Sequence, residues 1–203
     1  MASSTSLLLI FTRNPELGKV KTRLAASIGD QSALEVYQFL LEKTVAFTQD
    51  LPLDKHVYYS ETISANDIWD ATIYKKYKQE GPTLGDRMAN AFRTGFAQNY
   101  DKICIIGSDM YDLDAATIED AFTQLQSHDM VIGPADDGGY YLLGMKTLHP
   151  DIFSNKEWGT ETVLSQTLAD IQHLNVHLLD TRNDIDRIED IKGIAEFEKY
   201  LKS

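Results

Sequence analysis

The stretch KICIIGSD, Lys102–Asp109, contains the clearest strand of the sequence. Its continuous apolar run is typical of a strand that is buried on both faces of a parallel sheet. In open α/β sheets, ligands bind outside the carboxyl ends of the strands, which is where Ser108 and Asp109 follow this run. The stretch therefore predicts a fold class and one place in it where chemistry is expected.

Strands and helices alternate on both sides of this strand. Apolar runs predict further strands at residues 7–12, 56–60, 130–134, 140–145 and 176–180. Helical periodicity predicts helices at residues 31–47, 84–99, 115–127, 160–174 and 188–201, with Thr160 as the cap of the fourth and a short helix near 67–69. This order predicts an α/β, Rossmann-like sandwich in which helices cover both faces of a mostly parallel sheet.

Length and charge limit what the chain can be. Its 203 residues fit one domain, residues 1–203, and 43% hydrophobic with 25% charged residues is ordinary globular composition. A net charge of −12 argues against nucleic acid or an anionic membrane as a partner. With no run of 18 apolar residues and no basic leader, we expect a cytoplasmic protein without a transmembrane segment. The single cysteine, Cys104, is expected to be a buried thiol.

The loop after the first strand concentrates positive charge in this acidic chain. The stretch RNPELGKVKTRL, Arg13–Leu24, holds four of the 19 basic residues: Arg13, Lys19, Lys21 and Arg23. A solvated loop or the basic first turn of a helix would explain it as well as an anion site would. It is not a P-loop, because the first glycine of that motif is missing and Val20 stands at its Ser/Thr position.

Carboxylates follow three other predicted strands. Asp109 follows residues 102–107, Asp136 and Asp137 lie in PADDGG, and Asp184 and Asp186 lie in DTRNDID. Because the carboxyl ends of parallel strands share one edge, we expect the basic loop to face these carboxylates. Such an edge suits a polyphosphate bound through Mg²⁺ or Mn²⁺, since the carboxylates alone would repel phosphate.

Each carboxylate also has a structural explanation. The aspartate after the central strand could cap the next helix, although Asp112 or Asp114 could do so and leave Asp109 free. The DDGG segment could be only a hairpin turn. Asp186 could cap the last helix, with or without a metal. No G-x-G-x-x-G follows the first strand, no G-x-S-x-G is present, and the five histidines have no metal-ligand spacing.

Six segments together resemble a known family over about residues 6–200: FTRNPELGKVKTRLAASIG, LGDRMANAF, IIGSDMYDL, VIGPADDGGYYLLG, WGTETVLSQTL and DIDRIEDI. They are similar to bacterial glycosyltransferase-A-like proteins of unknown function, the radical-SAM/selenodomain-associated transferases of the nucleotide-diphospho-sugar transferase superfamily. The resemblance implies a glycosyltransferase-A fold with a mixed, mostly parallel sheet of about seven strands. It implies phosphate binding by Gly18, Lys21 and Arg23, with Arg13 and Lys19 as weaker candidates, and metal binding by Asp109 and Asp186.

The same resemblance implies a metal-dependent glycosyltransferase that uses a nucleotide-diphospho-sugar donor and a small acceptor. Asp137 is then the candidate general base, beside Asp109 at the metal. The candidate acceptor residues are Asp136, Gly138, Tyr140, Trp158, Thr160 and Glu161. The alternatives are a nucleotidyltransferase that acts on a nucleoside triphosphate, and a nucleotide-binding protein without turnover. Tyr111, Arg187 and Ile188 depart from the family's usual motifs, so Tyr111 is expected to reshape the pocket and Arg187 to alter charge near the metal.

Overall fold

A single twisted sheet organises the computed structural model, which describes residues 5–201. Within that range seven strands hydrogen-bond in the order β3-β2-β1-β4-β6-β5-β7. Their bounds are β1 Ser6–Thr12, β2 Asp54–Tyr59, β3 Tyr74–Lys78, β4 Lys102–Gly107, β5 Met130–Pro134, β6 Tyr140–Met145 and β7 Val176–Leu178. Only β6 runs antiparallel to its neighbours in this sheet. The mixed, mostly parallel sheet predicted from the sequence is thereby confirmed.

Helices pack on both faces of the sheet. They are α1 Thr22–Ile28, α2 Asp30–Thr48, α3 Leu84–Ala97, α4 Ala115–Gln124, α5 Val163–Asp170 and α6 Ile188–Ile191, with 3-10 turns at Pro150–Phe153 and Ala195–Tyr200. Leu8 and Ile10 of β1 pack in the cluster that contains residues of α2 and α4. Leu7 and Leu9 alternate to the other face, which α3 and α5 cover. The central strands are therefore apolar throughout, and Cys104 on β4 is a buried free thiol as expected.

The short helix predicted near residues 67–69 is wrong. Side chains there form turns instead, because Asp67 accepts the backbone N–H of Trp69 and Asp70 accepts that of Thr72, which competes with helical hydrogen bonding. The strand β3 that follows was not predicted. Its sequence, YKKYK, lies at the sheet edge, where lysines replace the apolar run of a central strand.

Three helix predictions also need correction. The fourth helix begins at Val163 rather than Thr160, whose hydroxyl donates to the Glu157 carbonyl instead of capping. The last helix stops at Ile191, because Gly193 takes a φ of +80° before a 3-10 turn. The short helix α1, which follows the basic loop, was not predicted.

The cap of α4 settles one alternative that the sequence left open. Asp114 accepts the backbone N–H of Thr117 at 2.8 Å, so this residue caps the helix and Asp109 does not. No helix within residues 5–201 is long and apolar enough to cross a membrane.

Candidate active site

Four loops meet at the carboxyl edge of the sheet. They follow β1, β4, β5 and β7, and isolated bridges join two pairs of them: Met110 with Asp184, and Ala135 with Arg182. The basic loop after β1 lies against the loop after β4 through an ion pair between Lys21 and Asp109. The structure therefore confirms the prediction that the basic loop and the acidic loops meet at this edge.

Lys21 holds an unusual backbone conformation at the start of α1. Its φ of 46° and ψ of 45° are left-handed, which non-glycine residues adopt at a cost and keep where the surroundings compensate. Its side chain is only 6% exposed, and its Nζ lies 2.8 Å from Asp109 Oδ2. Burial disfavours the charged amine, but attraction to Asp109 outweighs it and raises the Lys21 pKa.

The Asp109 carboxylate responds in the opposite direction. Burial acts to raise its pKa, but the ammonium of Lys21, with a further contribution from Arg13, lowers the Asp109 pKa below its usual value. Asp109 is thus a charged carboxylate that holds a buried cation at the foot of the basic loop.

The other basic residues of the loop lie nearer to solvent. Arg23 donates to Asp186 at 2.8 Å, while 62% of its side chain is exposed. Such an exposed pair contributes little to stability, so both groups can exchange partners for a ligand. Lys19 pairs with Glu16 on the surface, Arg13 is exposed at the rim, and Gly18 lies in an exposed turn.

Tyr37 of α2 braces the base of the basic loop. Its hydroxyl lies 2.9 Å from the backbone nitrogen of Arg13, which donates to it, and 3.2 Å from the Ser108 hydroxyl. A third contact joins it to Thr12 at the end of β1. The loops after β1 and β4 are therefore tied to the same helix, which fixes their separation.

Beside the Lys21–Asp109 pair lies a cavity of about 200 Å³. Of the predicted site residues, five line it: Asp109, Asp137, Tyr140, Trp158 and Thr160. The Asp137 carboxylate accepts the backbone N–H of Gly139 at 2.9 Å, which is the hairpin-turn role expected for DDGG, and it also faces the cavity. The candidate base Asp137 and three of the candidate acceptor residues, Tyr140, Trp158 and Thr160, therefore share one cavity.

The remaining predicted residues lie around this cavity rather than in its lining. Gly138 packs against the backbone of Glu161, and its carbonyl accepts the N–H of Leu164 at the start of α5. Asp136 is exposed and its backbone N–H donates to the Arg182 carbonyl. These contacts join the β5–β6 loop to the segment before α5 and fix the cavity wall.

Asp186 and Tyr111 depart from their expected roles. Arg187 is the N-cap residue of the last helix, and Asp190 in its first turn accepts the backbone N–H groups of Asp186 and Arg187, so the interpretation of Asp186 as the cap is wrong. Tyr111 does not line the cavity; its hydroxyl donates to Glu196 and its ring packs on Phe197. The expected reshaping of the pocket by Tyr111 is therefore wrong.

Asp184 is a cavity residue that the sequence reasoning did not select. It lines the cavity beside Asp109, because its bridge with Met110 brings the two loops together. Burial raises the Asp184 pKa to about 6, with repulsion from Asp109, Asp137 and Asp186 adding to it and Lys21 opposing it. The repeated aspartates of DTRNDID were the available signal, but nothing in their order tells which one meets Asp109.

A cation bound at these carboxylates would need further ligands from water and from a bound substrate. No three His, Cys, Asp or Glu side chains are grouped to hold a metal within residues 5–201. Mg²⁺, however, takes one or two carboxylates together with water and phosphate oxygens. Asp109 and Asp184 form such a pair, and the raised pKa of Asp184 marks a position where negative charge lacks compensation.

We expect Asp184→Asn to raise the free energy of unfolding by about 1–2 kcal/mol at pH 8 and by little at pH 4. The folded-state pKa of about 6 exceeds the ordinary value, so the folded protein binds more protons than the unfolded chain between about pH 4 and 6. Stability is therefore lost as pH rises through this window, and an amide cannot ionise. Urea unfolding of both proteins at pH 4 and pH 8, in EDTA, measures the difference. An equal difference at both pH values would contradict the assignment.

Comparison with solved structures supports the predicted fold. A Desulfovibrio desulfuricans G20 protein named a “putative nucleotide-diphospho-sugar transferase” is 29% identical, with a TM-score of 0.85 over 98% of this chain and 95% of that one. A 4-diphosphocytidyl-2C-methyl-D-erythritol synthase from Anaerococcus prevotii DSM 20548 is 12% identical, with a TM-score of 0.61 over 98% and 97% of the two chains. A cytidylyltransferase from Leptospira borgpetersenii is 13% identical, with a TM-score of 0.58 over 98% and 93%.

The two matches at 12% and 13% identity show a shared fold alone, which is the glycosyltransferase-A-like architecture expected from the sequence motifs. No curated protein matches the chain. A family model described as an uncharacterized protein conserved in bacteria, DUF2064, matches residues 42–160, more than half of the chain. The protein therefore belongs to this bacterial family, DUF2064.

Proposed function

We propose that the protein is a metal-dependent glycosyltransferase that uses a nucleotide-diphospho-sugar donor. The observation that carries the proposal is the ion pair between the buried Lys21 amine and Asp109, beside a cavity that Asp109 lines together with Asp137 and Asp184. A site with this set of charged groups can bind a cation, a polyphosphate and a second substrate. The similarity to the Desulfovibrio protein, over nearly the whole of both chains, supports the same reading.

The basic loop is the proposed diphosphate site. Lys21 and Arg23 each hold a carboxylate partner at 2.8 Å, and phosphate oxygens can replace those partners with charge-assisted hydrogen bonds. Arg13 and Gly18 lie at the exposed rim of the same loop. The negative charge of a diphosphate therefore meets the most positive segment of an acidic chain.

Asp109 is the proposed first metal ligand, with Asp184 or Asp186 as the second. Asp184 is favoured, because it lines the cavity with Asp109, whereas Asp186 accepts from Arg23. A divalent cation bound there would stabilise the charge on the departing nucleoside diphosphate.

Asp137 is the proposed general base. One of its oxygens, Oδ1, accepts from Gly139, which orients the carboxylate and leaves the other oxygen for an acceptor hydroxyl. The acceptor oxygen forms a bond to the sugar carbon and its proton passes to Asp137. The bond from that carbon to the diphosphate breaks, and the nucleoside diphosphate leaves with the electron pair.

Thermal melting with nucleotides tests this function. With Mn²⁺, we expect a nucleoside diphosphate or its sugar at about 100 times its Kd to add about 2.7 kcal/mol, which raises the melting temperature by about 5 °C or more. Lys21→Ala is expected to weaken this binding tenfold or more. Lys192→Ala, which changes an exposed lysine outside this loop that is paired with Glu189, is the matched control and should leave nucleotide binding within about twofold of its original value.

Nucleotidyl transfer is the second candidate, because the same loop and carboxylates can bind a nucleoside triphosphate and release pyrophosphate. Stabilisation by triphosphates in clear preference to diphosphates and their sugars would favour it. No stabilisation by any nucleotide, with or without Mn²⁺ or Mg²⁺, would contradict both enzymatic functions. Unchanged affinity in Lys21→Ala would contradict the assignment of the diphosphate site.

A further inference from the structure

The cavity beside the carboxylates is apolar over most of its wall. Away from Asp109, Asp137 and Asp184, the side chains that line it are mainly aliphatic, thioether or aromatic: Leu84, Met88, Met110, Tyr140, Tyr141, Trp158 and Val163. The carboxylates can take a hydroxyl and a cation, whereas most of the remaining wall offers apolar surface to a hydrocarbon or aromatic body.

The aromatic part of this wall is held in a fixed position. The Trp158 indole lies so close to Gly85, in the first turn of α3, that a Cβ there would come within 2.7 Å of Nε1. The ring also meets Tyr140 edge to face, with the centroids 6.3 Å apart. A ligand therefore finds a preformed surface, which lowers the ordering cost of binding.

The mouth of the cavity is apolar as well. Leu84 lines it and is 45% exposed, whereas the neighbouring lining residue Met88 is 6% exposed. An exposed leucine is common on a protein surface, but this one continues the apolar wall to the solvent. Its contact with a bound ligand would bury surface that is now in water.

Size and charge restrict the occupant further. A volume of about 200 Å³ exceeds the ~150 Å³ of an apolar cavity that binds benzene, so one ring with a short substituent fits. None of the cavity-lining residues, all of them in the described part of the chain, is lysine, arginine or histidine. An anionic second substrate would therefore lie against the Asp137 carboxylate, the proposed base, with no cationic side chain in this wall to offset the repulsion.

We propose that the acceptor is a small neutral alcohol with a ring or branched hydrocarbon body, and this rests on the proposed glycosyl transfer. Its hydroxyl lies at Asp137 and its body packs on Trp158 and Tyr140. The alcohol oxygen forms the new bond to the sugar carbon, the proton goes to Asp137, and the sugar–phosphate bond breaks to release the nucleoside diphosphate. Phosphorylated and polyhydroxylated acceptors of the same size are excluded.

Three matched probes test the acceptor class on the full chain. Benzyl alcohol, benzyl phosphate and glycerol are titrated by ligand-observed NMR in Mg²⁺ and inorganic pyrophosphate, which is added to occupy the proposed diphosphate site on the basic loop. Benzyl alcohol is expected to bind in the millimolar range, and each of the other two at least tenfold more weakly. If benzyl phosphate bound as tightly as benzyl alcohol, the proposal that the acceptor is neutral would be overturned. If glycerol bound as tightly as benzyl alcohol, the proposal that the acceptor has an apolar body would be overturned.

A pair of exposed leucines supplies variants that keep the fold. Leu84→Asp at the mouth is expected to weaken benzyl alcohol binding at least fivefold, whereas Leu178→Asp on β7, which is 48% exposed and outside the lining, leaves it unchanged. Equal weakening of benzyl alcohol binding by the two changes would overturn the placement of the acceptor in this cavity. Failure of nucleoside diphosphates to raise the melting temperature would overturn the transferase instead, and this result is separate from the selectivity among the three probes.

Discussion

Asp109→Asn is expected to lower Mn²⁺-supported transfer about 100-fold or more, which is the usual cost of losing one group that stabilises developing charge. The carboxylate lies between the buried Lys21 amine and the cavity, so its loss removes a proposed metal ligand and the counter-charge of Lys21 together. Release of nucleoside diphosphate from the donor measures turnover. Saturating Mn²⁺ separates the loss of metal affinity from the loss of catalysis.

The control for this change is a carboxylate of the same loop. Asp112 is half-exposed, pairs with Arg182 at 3.3 Å and does not line the cavity. Asp112→Asn is therefore expected to keep turnover within about twofold. Circular dichroism and melting show whether Asp109→Asn is folded, and a folded variant with undiminished Mn²⁺-dependent turnover would remove Asp109 from the mechanism.

The buried strands of the sheet could be predicted, because a strand that is buried on both faces has a continuous run of apolar residues. The central strand β4 and the hairpin strands β5 and β6 have the predicted bounds, since their residues face a core on both sides. The edge strand β3 carries three lysines in five residues and has no such apolar run. Its place in the sheet depends on pairing with β2, which is a long-range contact that local pattern does not encode.

The site was predictable to the level of loops and not to the level of atoms. Parallel topology requires the loops after β1, β4, β5 and β7 to meet, so the basic loop and its acidic partners followed from the order of elements. The pairing of Lys21 with Asp109 is a contact across 88 positions of the chain, at a lysine whose backbone is left-handed. The selection of Asp184 depends on one bridge with Met110. Neither feature has a sequence signature.

The glycines of DDGG show how a turn residue can also be a packing residue. From sequence, a hairpin turn explains Gly138 fully, and its φ of +86° agrees with that explanation. The structure adds that Glu161, 23 positions later in the chain, lies against the same glycine. The motif therefore joins two walls of the cavity as well as two strands.

Gly138→Ala is expected to lower the free energy of unfolding by about 3–5 kcal/mol, the largest stability effect of any single change proposed for this chain. A left-handed φ costs a non-glycine residue about 1–2 kcal/mol. In addition, the new Cβ would lie 2.6 Å from the carbonyl carbon of Glu161, and closer still to its oxygen and Cα, so the backbone of one loop must move. Urea unfolding followed by circular dichroism measures the loss.

Gly193→Ala separates the two causes. Gly193 has nearly the same φ, +80°, but no atom lies within 4 Å of a Cβ placed there, so only the backbone cost of about 1–2 kcal/mol is expected. The difference between the losses of unfolding free energy in the two variants measures the packing of the β5–β6 loop against the segment before α5. If both variants lost the same stability, the loop would be free to move away from Glu161. The cavity would then lack the rigid wall on which its selectivity for an apolar acceptor depends.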